Sequence, residues 1–129
     1  MRKNYIAGEW VASDDAVENR NPSDITDLIG LYAQASSAQL EAAIDAAGTA
    51  QKAWQATGLE ARQTALMTIG NALMARADEL GELLSREEGK PRAEGRGEIY
   101  RAGQFFTYYA AEVLRQIGDN ADSVRPGIE

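Results

Sequence analysis

The feature that most constrains this chain is the break Gly89-Lys90-Pro91, set between two long helical patterns. Glycine can adopt the left-handed conformation that closes a helix, whereas proline cannot continue one but suits the first turn of the next. Upstream, Leu66, Ile69, Leu73, Ala77, Leu80 and Leu84 recur at alternating three- and four-residue steps, the period of one helical face. Asp78 could cap a fresh helix inside that pattern, so residues 60–87 read as either one bent rod or two. Downstream, Ile99, Ala102, Phe106, Tyr109 and Val113 fall on one face, with Phe105 and Tyr108 beside them. This helix is expected to end near Gly118.

A further helix is expected earlier, with Leu40, Ile44, Ala47 and Trp54 on one stripe and Glu41, Asp45 and Lys52 outside it. Ser36 or Ser37 caps it, and Ser36 with Gln39 has the form of a capping box; Thr57-Gly58 ends it. Residues 4–11 read as a hairpin around Ala7-Gly8, with Trp10 as its anchor. Val17 to Arg20 reads as another strand, Asn21-Pro22-Ser23-Asp24 as a turn, and Leu28 to Ala33 as the return. The expected fold class is therefore α+β: β-hairpin elements over 1–35, three or four amphipathic helices over 36–118, and a connector over 119–129. The Pro-Gly in that connector expects more chain beyond it.

Composition narrows the function. A formal net charge of −7 argues against a nucleic-acid or anionic-membrane partner and fits a soluble cytoplasmic protein. No apolar run is long enough to span a membrane, and no apolar stretch follows the basic N-terminal residues as a signal peptide requires. The chain has no cysteine and no histidine, which removes disulfides, zinc-thiolate sites and the usual neutral-pH general base. Twenty-three residues are alanine, so a core must rest on a short list of larger side chains and stability alone is expected to be marginal.

Three motifs carry competing readings. Gly95-Arg96-Gly97-Glu98-Ile99-Tyr100 imitates a dinucleotide loop, but Tyr100 stands where a third glycine belongs and no strand precedes it, so close helix packing is the better reading. Glu87 and Glu88 sit at a helix C-terminus, where negative charge is disfavoured; the plainer reading is a solvated acidic pair answered by Lys90. The paired aromatics Phe105-Phe106 and Tyr108-Tyr109 lack a basic groove and read as core.

In order and spacing, Glu87-Glu88-Gly89-Lys90-Pro91 and the helix after it resemble the N-terminal quarter of NAD(P)-dependent aldehyde dehydrogenases. Tyr5-Ile6-Ala7-Gly8-Glu9-Trp10-Val11 looks like that family's opening hairpin, Asn21-Pro22 with Ile29-Gly30 like its second, and Arg125-Pro126-Gly127 like the segment leading into its first cofactor-domain strand. The local sequence also resembles the branch that oxidises succinic or 2-oxoglutaric semialdehyde. The resemblance covers nearly all of the chain and implies part of an α/β fold whose cofactor is NAD or NADP and whose substrate is an aldehyde. The family's cysteine nucleophile, its thioester-hydrolysing glutamate and its oxyanion-holding asparagine have no counterpart here. This chain alone is therefore expected to be structural and inactive, with the rest of the polypeptide as its partner in a homo-oligomer, and without a cofactor of its own.

The resemblance also implies two contacts with small species. Glu87, with backbone carbonyls near Asn19 and Arg20, occupies a position from which the family often holds a monovalent cation, and oxygen ligands suit such an ion. Arg101 falls where the family's helix lines the substrate entrance, and its guanidinium could clamp a carboxylate. The plainer reading of Arg101 is a surface residue paired with Glu98. The alternative for the whole chain is an independently folding helical interaction module without enzymatic activity.

Overall fold

Local turn chemistry builds the first layer. The computed structural model describes residues 1–115 together with Gly118, Val124 and Gly127. Strands β1 (Asn4–Ile6) and β2 (Glu9–Val11) form an antiparallel hairpin whose turn residues Ala7 and Gly8 both have positive φ, 53° and 89°. That pair of left-handed residues matches the twist of a two-residue hairpin turn, which glycine adopts without steric cost. Tyr5 faces Trp10 across the strands with ring centroids 5.1 Å apart. Trp10 nevertheless stays 66% exposed, so it packs on its cross-strand neighbour and anchors no core.

Strands β3 (Ala16–Asn21) and β4 (Asp24–Ala33) form the second hairpin, with Val17 opposite Tyr32 and Asn19 opposite Gly30. Its register shifts on either side of Arg20 because β4 carries the extra residues, Ile29 at the first shift and 25–27 at the second. The side chain of Asn21 accepts the Ser23 amide at 2.9 Å, an Asx turn that reverses the chain. The return strand thus begins at Asp24, four residues ahead of its apolar segment. Arg2 ties the N-terminus to β4 through backbone bonds with Leu31 and Ala33.

Helix α1 (Ser37–Ala56) starts with the expected capping box: Ser36 Oγ accepts from the Gln39 amide and Gln39 Oε1 from the Ser36 amide. At its other end Thr57 Oγ1 donates to Trp54 O, and Arg62 donates to the carbonyls of Trp54 and Gln55 with its guanidinium 5.9 Å from the Trp54 ring. Charged donors there satisfy carbonyls that a helix end leaves without partners.

Residues 60–87 resolve into two helices, α2 (Gly58–Ala75) and α3 (Ala77–Glu88), separated where Arg76 leaves helical geometry with φ −105° and ψ 19°. Asp78 is not the cap: the boundary falls at Arg76, and Asp78 instead pairs with Arg96 at 2.6 Å. Gly89 closes α3 with φ 71°, and α4 (Arg92–Glu112) follows Pro91. A 3₁₀ turn over Val113–Arg115 follows α4, and residues 116–117, next to the expected end at Gly118, lie outside the described residues. Apart from Val124 and Gly127, the expected connector lies outside the described residues.

Helix α4 runs back along α3 and then α2, and glycine sets the approach. A methyl group on Gly81 would lie 2.5 Å from the Arg96 Cα, and one on Gly103 would lie 2.5 Å from Met74 Cγ and 2.7 Å from the Gly70 carbonyl. Backbone thus meets backbone at two crossings. Gly95 is buried against Gly81 and Ser85, which supports the packing reading of that glycine, whereas Gly97 faces open space. The buried set consists of small residues, with Ala77, Ser85 and Ala110 beside the glycines, and among the described residues no large side chain is fully buried. Ala110 takes the inward position and its neighbour Tyr109 turns outward, 59% exposed. The core reading fails likewise for Phe105 and Tyr108, at 58% and 60%; of the four aromatics only Phe106 is half-buried.

Substitutions within α4 separate these environments. Gly97→Ala should stabilise the chain by up to about 1 kcal/mol through helix propensity. Gly103→Ala should destabilise it, because overpacking costs about 1–3 kcal/mol and exceeds that gain. Urea unfolding followed by circular dichroism measures both; shifts of the same sign would contradict the contact geometry.

Candidate functional site

The end of α3 gathers the hairpin through three of its last residues. Gly89 brings the chain close enough that Ser23 Oγ donates to its carbonyl at 2.9 Å, and a methyl group on Gly89 would lie 2.8 Å from Pro22 Cγ. Glu87 Oε1 accepts from Asn19 Nδ2 at 2.8 Å and from the Tyr32 hydroxyl at 3.1 Å. Arg86 grips Asp27 with a two-pronged fork, Nη2 to Oδ1 at 2.6 Å and Nε to Oδ2 at 2.9 Å. Such parallel charge-assisted bonds fix orientation as well as distance. The Arg86 guanidinium, with Asn21 in support, holds the Asp27 carboxyl below its usual range despite partial desolvation.

The cation is expected between the Glu87 side chain and backbone carbonyls near Asn19 and Arg20, whereas the contacts seen there are made by side chains. Asn19 reaches Glu87 by its side-chain amide, while the Arg20 side chain turns away to Glu18 at 2.8 Å and to the Ile25 carbonyl at 3.1 Å. Glu87 and Glu88 are not an equivalent solvated pair. Glu87 is half-buried and doubly bonded, whereas Glu88 is exposed and pairs with Lys90 at 2.5 Å. Lys90 also bridges to Glu98 at 2.7 Å, and these two carboxylates, Glu88 foremost, raise its pKa. No cluster of three or more acidic, histidine or cysteine side chains suited to a metal occurs among the described residues.

Glu98 pairs with Lys90, the expected Arg101–Glu98 pair is not formed, and among the described residues Arg101 has no carboxylate within ion-pair distance. Arg101 lies instead on the outer face of α4 in a shallow concavity with Gln104, Phe105, Tyr108 and Tyr109. The two tyrosine rings meet edge-on, 5.2 Å apart at 88°. A guanidinium beside apolar rings can bind and orient an anion with an apolar body. The Arg86–Asp27 fork and the Tyr32–Glu87 bond escaped sequence reasoning, since 59 and 55 residues separate the partners and no motif links them.

The model of the aldehyde dehydrogenase family matches residues 10–128, and the chain belongs to that family. It is 38% identical over 112 residues to the alpha-ketoglutarate semialdehyde dehydrogenase of Haloferax volcanii, covering 85% of this chain and 23% of that relative. It is 37% identical over 116 residues to the succinate-semialdehyde dehydrogenase [NADP(+)] of Escherichia coli, covering 88% and 24%. Among solved structures, an aldehyde dehydrogenase from Brucella melitensis superposes with a TM-score of 0.90 at 29% identity over 98% of this chain and 26% of that one. The chain thus spans about a quarter of the length of these relatives and corresponds to their N-terminal part.

The fork makes hairpin docking sensitive to acid. The folded-state pKa of Asp27 is depressed, so its contribution is fully present above the unfolded aspartate value and is lost as pH falls through the lowered value. Urea midpoints measured from pH 7 to pH 2 should place Asp27→Asn below the unmodified chain at neutral pH. The gap should close at the acid end; a constant gap would contradict the assignment.

Proposed function

We propose that this chain works as the N-terminal portion of an NAD(P)-dependent aldehyde dehydrogenase that oxidises an anionic semialdehyde to a carboxylic acid. The observation that carries this reading is the family match across residues 10–128 in a chain that has a quarter of its relatives' length and no cysteine to act as nucleophile. Its own role is scaffolding and substrate approach. NAD or NADP supplies the hydride acceptor in the complete enzyme, and no residue of this chain is assigned to hold it.

Arg101 is the residue proposed to face substrate. Its support is an exposed guanidinium with no carboxylate beside it, backed by Phe105, Tyr108 and Tyr109, together with relatives named for semialdehyde acids. Glu87 is proposed as the side-chain anchor of a monovalent cation near the backbone of Asn19 and Arg20, where the hairpin register shifts. Oxygen donors at an irregular strand suit a hard ion, and because Asn19 and Tyr32 already bond Oε1, the ion falls to the other carboxylate oxygen. No helix among the described residues is long and apolar enough to cross a membrane, and a cytoplasmic homo-oligomer completes the reading.

Three measurements test it. The 129-residue chain should show no turnover of succinic semialdehyde with either nucleotide, while the product of the complete reading frame should turn it over. In that complete enzyme Arg101→Ala should raise KM for an anionic aldehyde by about tenfold or more, the loss of roughly one charge-assisted contact, and leave a neutral aldehyde nearly unchanged. Equal effects on both substrates would remove Arg101 from the substrate path. For the cation, replacing sodium and potassium by choline at constant ionic strength should lower the unfolding temperature, and Glu87→Gln should abolish that difference.

A further inference from the structure

The elbow between α1 and α2 is held by a side chain where backbone would otherwise serve. A helix that ran on through Thr57 would bond the carbonyls of Trp54 and Gln55 to the amides of residues 58 and 59, each four positions ahead. Instead Arg62 reaches back, and its Nη2 donates to both carbonyls, at 3.2 Å to Trp54 and 2.6 Å to Gln55. The same guanidinium lies 5.9 Å from the centre of the Trp54 ring, and its Nε is buried with no hydrogen-bond partner among the described residues. A cation held beside an indole and shielded from water on one edge directs its remaining donors at these two acceptors.

The turn itself rests on one dihedral angle. Thr57 keeps right-handed helical geometry, φ −67° and ψ −11°, and the chain departs only at Gly58, whose φ is 78°. A methyl group on Gly58 would meet no atom within 4 Å, so no neighbour forces that angle. With right-handed helical dihedrals at Gly58, α1 and α2 would join end to end and backbone amides would take the two carbonyls from Arg62. Little else holds α1. None of its residues is buried, Leu40, Ile44 and Trp54 being 58%, 62% and 51% exposed. Beyond the elbow it scarcely touches α2 and rests on β1, while at its start the Gln39 side-chain amide donates to the Ala12 carbonyl at 2.7 Å.

We propose that residues 57–62 form a latched hinge, in which Arg62 holds the bent state of α1 and α2 against a second state where residues 37–75 run as one continuous helix. Both states satisfy the carbonyls of Trp54 and Gln55, the first with a guanidinium and the second with backbone, so a single side chain can set the balance between them. The hinge is independent of the enzyme reading.

The absence of cysteine makes the test direct: nitroxide labels on Glu41→Cys and Asn71→Cys report one distance between exposed sites on the two helices. Thirty residues separate these positions. One continuous helix places them about 45 Å apart, and any bend brings them closer. Labelled chain is diluted with unlabelled chain, so that pulsed electron paramagnetic resonance reads distances within one molecule. The parent should give the shorter distance alone. Gly58→Ala disfavours the left-handed angle about tenfold, and Arg62→Gln removes the charged donor for about another tenfold. The double variant should therefore show a population near 45 Å while keeping the helical circular dichroism signal. The shorter distance alone in the double variant would overturn the hinge, and so would a lost helical signal, because a continuous rod keeps every helical residue. A 45 Å population as large in the parent as in Arg62→Gln would show that Arg62 latches nothing and would overturn it equally.

Discussion

Contact between helix backbones at glycine is the constraint on which this structure depends. Gly81 against Arg96, and Gly70 against Gly103, let α4 lie on α3 and α2 at a distance that any side chain would prevent. Close approach increases dispersion contact per unit length and excludes water from the small residues between, which is how a core of Ala77, Ser85 and Ala110 can hold three helices. The cost is shape: with the seam filled by small residues, most of the aromatic side chains of α4 point outward and only Phe106 is half-buried. Phe105, Tyr108 and Tyr109 are exposed because the interface leaves no room for them, and the same exclusion places Arg101 among aromatic rings.

The second hairpin joins the helices by different means. Its contacts with the end of α3 are polar and directional: a fork between Arg86 and Asp27, a shared acceptor at Glu87, and the Ser23 hydroxyl on Gly89. Such contacts contribute little net free energy where solvent reaches them, but they specify orientation. Here they fix β3 at its register shift against Glu87, which is why the geometry proposed to hold a cation and the geometry that seats the hairpin share the same carboxylate.

Legibility followed range. The Ser36–Gln39 capping box, the Ala7-Gly8 turn and the Gly89-Pro91 break were all readable, because each is decided within four residues by backbone sterics and local hydrogen bonding. The meeting of Asn19 with Glu87 was legible only by resemblance to a family. Tyr32, Asp27 and Arg86 were not legible at all, since a charge or hydroxyl in a strand looks the same whether it faces water or a helix end. Tyr109 failed for a subtler reason. A stripe drawn through the largest apolar residues assumes that size marks the inner face, and here the inner face is marked by its absence.

By itself, the sequence determined the order of hairpins and helices, short of whether 60–87 is one rod or two, and the lack of any thiol or imidazole, since periodicity, turn residues and composition suffice for those; the family was legible by resemblance. Only the tertiary structure decided which face of each helix turns inward, that Lys90 takes Glu98 and leaves Arg101 without it, and that α1 carries its large side chains on the outside. Those outcomes depend on distances between residues far apart in the chain, and a periodic pattern shows that a helix has an apolar side without saying what that side meets.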